Sequence, residues 1–258
     1  MRPELHAEWT KVRTVTGAAW LLLALVALTA AVSAAAAATA TCTSARCNYD
    51  AVKLSLMGIQ VSQAIVAILA VLAISGEYST GMIRTTLTAM PRRATVLAAK
   101  AAVLIGLTMA AGIIAVLASV LAGRLILPGN GFTLAHGYPP LSLADGPTLR
   151  AAAGSVLYLV LIALLSLGIA AAVRDSAAAI GAVLGVLYLF PIIGSMIRDP
   201  DWQRLLWRIS PMNAGLTIQA TIDLTDLPLD PWAGLGVLTA WAAAALLTGG
   251  LLLRLRDA

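Results

Sequence analysis

Six uncharged, predominantly apolar blocks of about twenty residues decide what this chain can fold into. They cover roughly 18–38, 54–74, 101–122, 151–173, 176–197 and 232–253, and none contains Asp, Glu, Lys, Arg or His. About 20 apolar residues wound into an α-helix cross the roughly 30 Å hydrocarbon core of a bilayer, so each block predicts a transmembrane helix. Only 11% of the chain is charged, against about 25% for a soluble domain. The alternating pattern of a membrane β-strand over about 10 residues is absent from the sequence. The expected fold is an all-α polytopic membrane protein, a single transmembrane domain over 1–258 with six spans.

Charge sets the expected orientation, because cytoplasmic flanks carry the Lys/Arg excess. With the N-terminus inside, the inner segments hold Arg2, Lys11, Arg13, Arg84, Arg92, Arg93, Lys100, Arg174, Arg254 and Arg256, ten of the 17 basic residues. The outer segments hold the other seven. Both termini are then cytoplasmic, and the net charge of +5 reads as topology and lipid headgroup contact. No nucleic-acid motif accompanies it. The first apolar block is too long for the 7–15-residue core of a signal peptide, and Glu4 and Glu8 spoil a basic leader. It is therefore expected to be a span and to stay.

The segments between spans are not uniform. From Glu4 to Val15, Leu5, Trp9 and Val12 recur at i, i+4, i+7, which predicts a short interfacial helix with Trp9 at the headgroups. Cys42 and Cys47 fall in the first outer loop, where they either bridge, as an oxidising side allows, or stand as two free thiols. The stretch Gly123–Arg150, with its lone His136, reads as irregular outer structure. Before the sixth span, Asp199 followed by Pro200 is a helix start. Trp202, Leu205, Leu206 and Ile209 then form a stripe that Pro211 ends. This predicts an outer amphipathic helix anchored by Trp202 and Trp207. The piece Ala214–Ile222 is expected to dip back toward the bilayer, and Asp223, Asp226 and Asp230 return it to water. Gly181 and Gly185 make one GxxxG pair in the fifth block, a spacing that permits close helix approach.

What the blocks lack excludes function classes. An ionised group at mid-bilayer costs roughly 2.5–3.5 kcal/mol on insertion scales and persists for a use. Proton relays and intramembrane proteases need such groups, and the two histidines, His6 and His136, lie outside the blocks. No set of metal-ligating residues is apparent, so no metal or cofactor is expected on this chain. A P-loop needs a Lys directly after Gly. Lys11, Lys53 and Lys100 follow Thr10, Val52 and Ala99, so an ATP-driven process would need its nucleotide site, with ATP and Mg, on another polypeptide.

The run GEYSTGMIRTTLTAMPRRATVLAAK, Gly76 to Lys100, joins the second and third blocks. Glu77 stands at the inner water boundary with Tyr78 beside it. Gly81 allows a turn or a close backbone approach. Ile83, Leu87 and Met90 recur at i, i+4, i+7, with Arg84 and Thr88 off that stripe, and Pro91 stops the pattern. This predicts a short amphipathic helix on the inner side, which either lies at the interface as part of a positive-inside loop or docks against a protein surface; the loop's length, its lone acid and its sharp stop suit docking.

That run resembles the signature of ABC type-2 transporter permeases, the exporter class that includes drug, antibiotic and polysaccharide carriers. In that family a stretch reading roughly E-(Y/F)-x-x-G-(T/M)-I-R-x-x-L-x-x-P-x-R-x-x-(L/V)-x-x-K joins the second and third spans. This chain supplies Glu77, Tyr78, Gly81, Ile83, Arg84, Leu87, Pro91, Arg93 and Lys100 in that order, with one extra residue before the proline. The motif covers about a tenth of the chain, and the six-span plan with its two interfacial helices extends the likeness. The resemblance implies a permease subunit in the cell's inner membrane, a second copy or related permease facing it, and a separate ABC ATPase docked on the segment of Glu77, Tyr78, Gly81, Ile83, Arg84, Leu87 and Pro91. It implies no enzyme activity of the chain's own. The alternative is a non-transporting scaffold or membrane anchor for another complex. The cargo is not legible.

Overall fold

The computed structural model describes residues 16–43, 47–79 and 93–255, with the backbone alone at 77–79, 93, 94 and 254. Among the described residues the chain is helical without β-strands. Six helices are long and apolar enough to cross a membrane. These are α1 (Thr16–Thr39), α3 (Ile59–Ser79), α4 (Arg93–Ile126), α5 (Gly146–Val173), α6 (Ser176–Met196) and α9 (Pro231–Leu255). Three short helices lie between them: α2 (Ala51–Ser55), α7 (Pro200–Ile209) and α8 (Pro211–Leu216). The protein is an all-α, multi-pass membrane protein. The expected interfacial helix over Glu4–Val15, with Trp9, lies outside the described residues.

Three boundaries differ from the sequence expectation, each for a physical reason. The second span begins at Ile59, not Leu54. Asp50 caps α2 by accepting a hydrogen bond from the Lys53 amide at 3.0 Å, and the chain turns through 56–58 before α3 starts. Gly58 fixes that turn against α1, since a Cβ there would stand 2.1 Å from the Thr29 carbonyl oxygen. Its amide donates to Ser33 Oγ at 3.0 Å. The third helix has 34 residues, about 51 Å at 1.5 Å per residue, and takes in Lys100 and Arg124 at its two ends. The fourth begins at Gly146, capped by Asp145, and takes in Arg150. The helices are thus not charge-free, although the narrower apolar blocks are. The irregular stretch expected over Gly123–Arg150 shrinks to 127–145, and part of that forms 3₁₀ turns.

Helix α5 is the axis of the bundle. Tyr158, Leu159, Ile162, Ala163, Leu165 and Leu167 on it are fully buried, and it packs against α3, α4, α6 and α9. Lipid tails are as apolar as leucine, so membrane helices associate through close packing of small residues. The α5–α9 contact shows this directly. A Cβ on Gly168 would lie 2.4 Å from the Ala245 carbonyl carbon, and one on Gly249 would lie 2.4 Å from the Gly168 carbonyl oxygen. By contrast, a Cβ on Gly181 or Gly185 would meet nothing within 4 Å. Among the described residues, the GxxxG pair of α6 therefore makes no close helix approach of this kind.

Candidate functional site

The two ends of the bundle are built differently. At one end α3 finishes and α4 begins. Glu77 and Tyr78 occupy the last turn of α3. Gly81, Ile83, Arg84, Leu87 and Pro91 lie outside the described residues. What the structure does give is the pair of stems from which that segment springs.

The stems are firmly seated. Ile74 on α3 and Val96 and Ala99 on α4 are buried, and the Ser75 hydroxyl donates to the Val71 carbonyl at 2.9 Å. Lys100 is 3% exposed, and its ammonium donates to the Ala73 carbonyl at 3.1 Å. One side chain thus ties the two stems across the base of the segment. Helix α5 stops at the same end, where Arg174 takes a left-handed conformation with φ 65° and its guanidinium reaches the Leu252 carbonyl of α9 at 3.5 Å. Asp175 then caps α6 by accepting from the Ala178 amide at 2.7 Å.

The opposite end carries a stitched cap. Cys42 and Cys47 are joined by a disulfide. The Cys42 amide donates to the Asn130 carbonyl at 2.8 Å, and the Tyr138 hydroxyl donates to the Cys47 carbonyl. Asp50 is a hub. Besides capping α2, its carboxylate accepts from the Thr221 amide at 2.5 Å, the Thr221 hydroxyl at 2.8 Å and the Ile222 amide at 3.3 Å. Arg150 donates to the neighbouring Ala220 carbonyl at 2.5 Å. His136 Nδ1 lies 2.6 Å from the Gly131 carbonyl oxygen, a local turn contact.

Helix α7 is amphipathic, as its spacing predicts, with Asp199 accepting from the amides of Asp201 and Trp202. Trp202 and Trp207 are both exposed on this chain, the disposition an interfacial anchor requires. The Arg204–Asp201 pair at 3.9 Å is exposed and contributes little to stability. Trp241 Nε1 ties α9 to the end of α7 by donating to the Ile209 carbonyl at 2.9 Å. The piece expected to return toward the bilayer is buried in protein. Ala214, Ile218 and Gln219 are almost fully covered, and the Gln219 amide donates to Ser155 Oγ of α5 at 3.0 Å. Such cover is what irregular backbone requires wherever lipid cannot satisfy its polar groups.

One buried polar cluster escaped the sequence reading. Gln63 of α3, wholly buried, accepts from the Tyr158 hydroxyl of α5 and donates to the Gln60 carbonyl at 3.0 Å. Its amide also approaches Met212 Sδ at 3.2 Å, and Tyr188 of α6 donates to the Gln60 carbonyl at 3.1 Å. The cluster joins three spans and the short helix α8. A signal for it exists: Gln60 and Gln63 are the only amide side chains in the six apolar blocks.

No protein-family model matches the chain, and no curated protein matches it.

Proposed function

We propose that this protein is the membrane-spanning permease subunit of an ATP-driven ABC exporter, coupled to a separate ATPase through the segment from Glu77 to Pro91. The observation that carries the reading is the run from Gly76 to Lys100, with its lone carboxylate, its amphipathic stripe ended by proline and its resemblance to the type-2 permease signature. Several findings support it. The run springs from two packed stems at one end of a six-helix bundle, where a push would be felt by α3 and α4 together. The opposite end carries the disulfide, and disulfides persist on the oxidising side of a membrane. That agrees with the charge bias, which sets the run in the cytoplasm of a cell membrane.

The mechanism follows from linkage. ATP can shift a permease between inward- and outward-open states only if the ATPase contacts the two states differently. On this reading the segment is where that difference is transmitted, and two permease units, identical or related, line one pathway with two ATPases docked on its inner face. The chain itself supplies the conduit and no nucleotide site.

Sidedness tests the reading. Thr88→Cys is expected to react with a membrane-impermeant maleimide only in inside-out vesicles, since the native cysteines are bridged. Labelling in intact, right-side-out cells would contradict it.

A further inference from the structure

We infer that residues 191–209 form a hinged strap at the cap end of the bundle, pivoting at Pro191 and at Ser210, and that Trp241 is the clasp that holds it against α9. The inference is independent of the permease reading.

The first pivot lies inside α6. Below it the helix is seated in the body of the bundle. Ala179, Val183 and Leu187 are fully buried, and the Tyr188 hydroxyl donates to the Gln60 carbonyl of α3 at 3.1 Å. Pro191 then interrupts the helix. Its nitrogen carries no hydrogen, so residue 191 gives the Leu187 carbonyl no bond, and its ring crowds that turn. Such a site is where a helix bends. Beyond it the packing changes. Ile192 and Met196 are exposed, and α7 contains no buried residue. The second pivot is Ser210, which is fully buried. Its hydroxyl accepts from the Asn213 amide at 3.2 Å and so caps α8, where Met212 and Ala214 are buried again.

Between the pivots the strap is held by side-chain contacts. Gln203 donates to the Gly194 carbonyl at 3.4 Å, which ties α7 to the end of α6 so that the two move together. Arg208 Nε donates to the Pro228 carbonyl at 3.0 Å. Trp241 of α9 grips both ends. Its ring meets Phe190 edge-on, with centroids 6.1 Å apart, and its Nε1 donates to the Ile209 carbonyl at 2.9 Å. A tryptophan can do both because an apolar body carries one polar handle. Phe190 immediately precedes the first pivot and Ile209 the second, so one indole controls the two points about which the strap turns.

Hinges are a few element-terminal residues that absorb the change while the pieces beside them stay rigid. Helix α8 packs against both α6 and α9, and the strap joins the two sides of the seam that α8 fills. Clasped, it lies against α9. Released, it swings away as one piece and uncovers the α9 side of that seam.

Spin labels at Leu205 on the strap and Leu149 at the start of α5, both exposed, read this in the full chain, diluted with unlabelled chain in lipid nanodiscs. A second pair, Leu125 and Leu149, reports on the body. Wild type is expected to give one narrow distance for the strap pair. Trp241→Ala, which removes ring and N–H, is expected to add a second, longer distance. Trp241→Phe, which keeps the ring, is expected to raise the ratio of long to short distances about fivefold, the equivalent of one hydrogen bond of about 1 kcal/mol. Adding Pro191→Ala to Trp241→Ala restores the helical bond to Leu187 and is expected to return the narrow distance. The body pair is expected to stay unchanged throughout. An unchanged strap distance in Trp241→Ala would overturn the clasp, and failure of Pro191→Ala to narrow it would overturn the pivot. Equal broadening of the body pair would show that Trp241 merely supports the bundle, and would overturn the strap.

Discussion

Replacing Gly168 with leucine is expected to abolish recovery of monodisperse protein from the membrane. The three atoms nearest a Cβ at this position are backbone atoms, the Ala245 carbonyl carbon at 2.4 Å, the Leu246 nitrogen at 2.5 Å and the Ala245 oxygen at 2.7 Å. None can rotate away, so α5 and α9 must separate. Overpacking a core costs typically 1–3 kcal/mol and occasionally more. Here the clash is helix against helix, along the contact that centres the bundle, which puts the cost at or above the top of that range. Gly181→Leu provides the control, because beyond its own helix backbone and chain neighbours none of the described residues lies within 4 Å of a Cβ there. Its melting temperature is expected to stay at the wild-type value. Size-exclusion profiles and melting curves in mild detergent measure both. Equal behaviour of the two variants would contradict the α5–α9 contact.

The second large effect concerns coupling. Glu77→Ala and Arg84→Ala are expected to insert in the membrane at wild-type levels, because neither position belongs to an apolar block. Each is nevertheless expected to weaken ATPase docking or to uncouple hydrolysis from transport. Truncating one partner of a buried, hydrogen-bonded charge pair at an interface costs about 2–5 kcal/mol. Since about 1.4 kcal/mol is a tenfold change, docking should fall by tenfold or more where the charge is buried in the contact. Titration of detergent-solubilised permease with the ATPase measures it. Wild-type affinity and wild-type transport in both variants would refute the coupling role.

The spans were legible because burial in lipid demands long uncharged runs, and that demand is local in sequence. Tertiary contacts were not. Leu54–Met57 is as apolar as the span that follows, and only the approach of Gly58 to Thr29 shows why the helix restarts at Ile59. Lys100 and Arg124 read as span ends because a charge is costly in lipid. The structure keeps them helical, and buries Lys100 where a backbone acceptor is at hand. The GxxxG spacing pointed to Gly181 and Gly185, yet the intimate contact falls at Gly168 and Gly249, which share no short-range pattern. No local pattern marks Asp50 as a hub, since its partners Thr221 and Ile222 lie 171 and 172 residues away. The helix α7 was legible to the residue, because a cap, a proline and an i, i+3, i+4, i+7 stripe are all local signals.

The central claim is that this bundle has no engine of its own and is driven through the segment between α3 and α4. Purification of the intact chain from its native membrane in mild detergent, followed by mass spectrometric identification of what accompanies it, tests that claim most directly. The account predicts a soluble P-loop ATPase in stoichiometric amount, lost when Glu77 and Arg84 are both replaced by alanine. A chain that purifies without any nucleotide-hydrolysing companion and transports its cargo alone would contradict it.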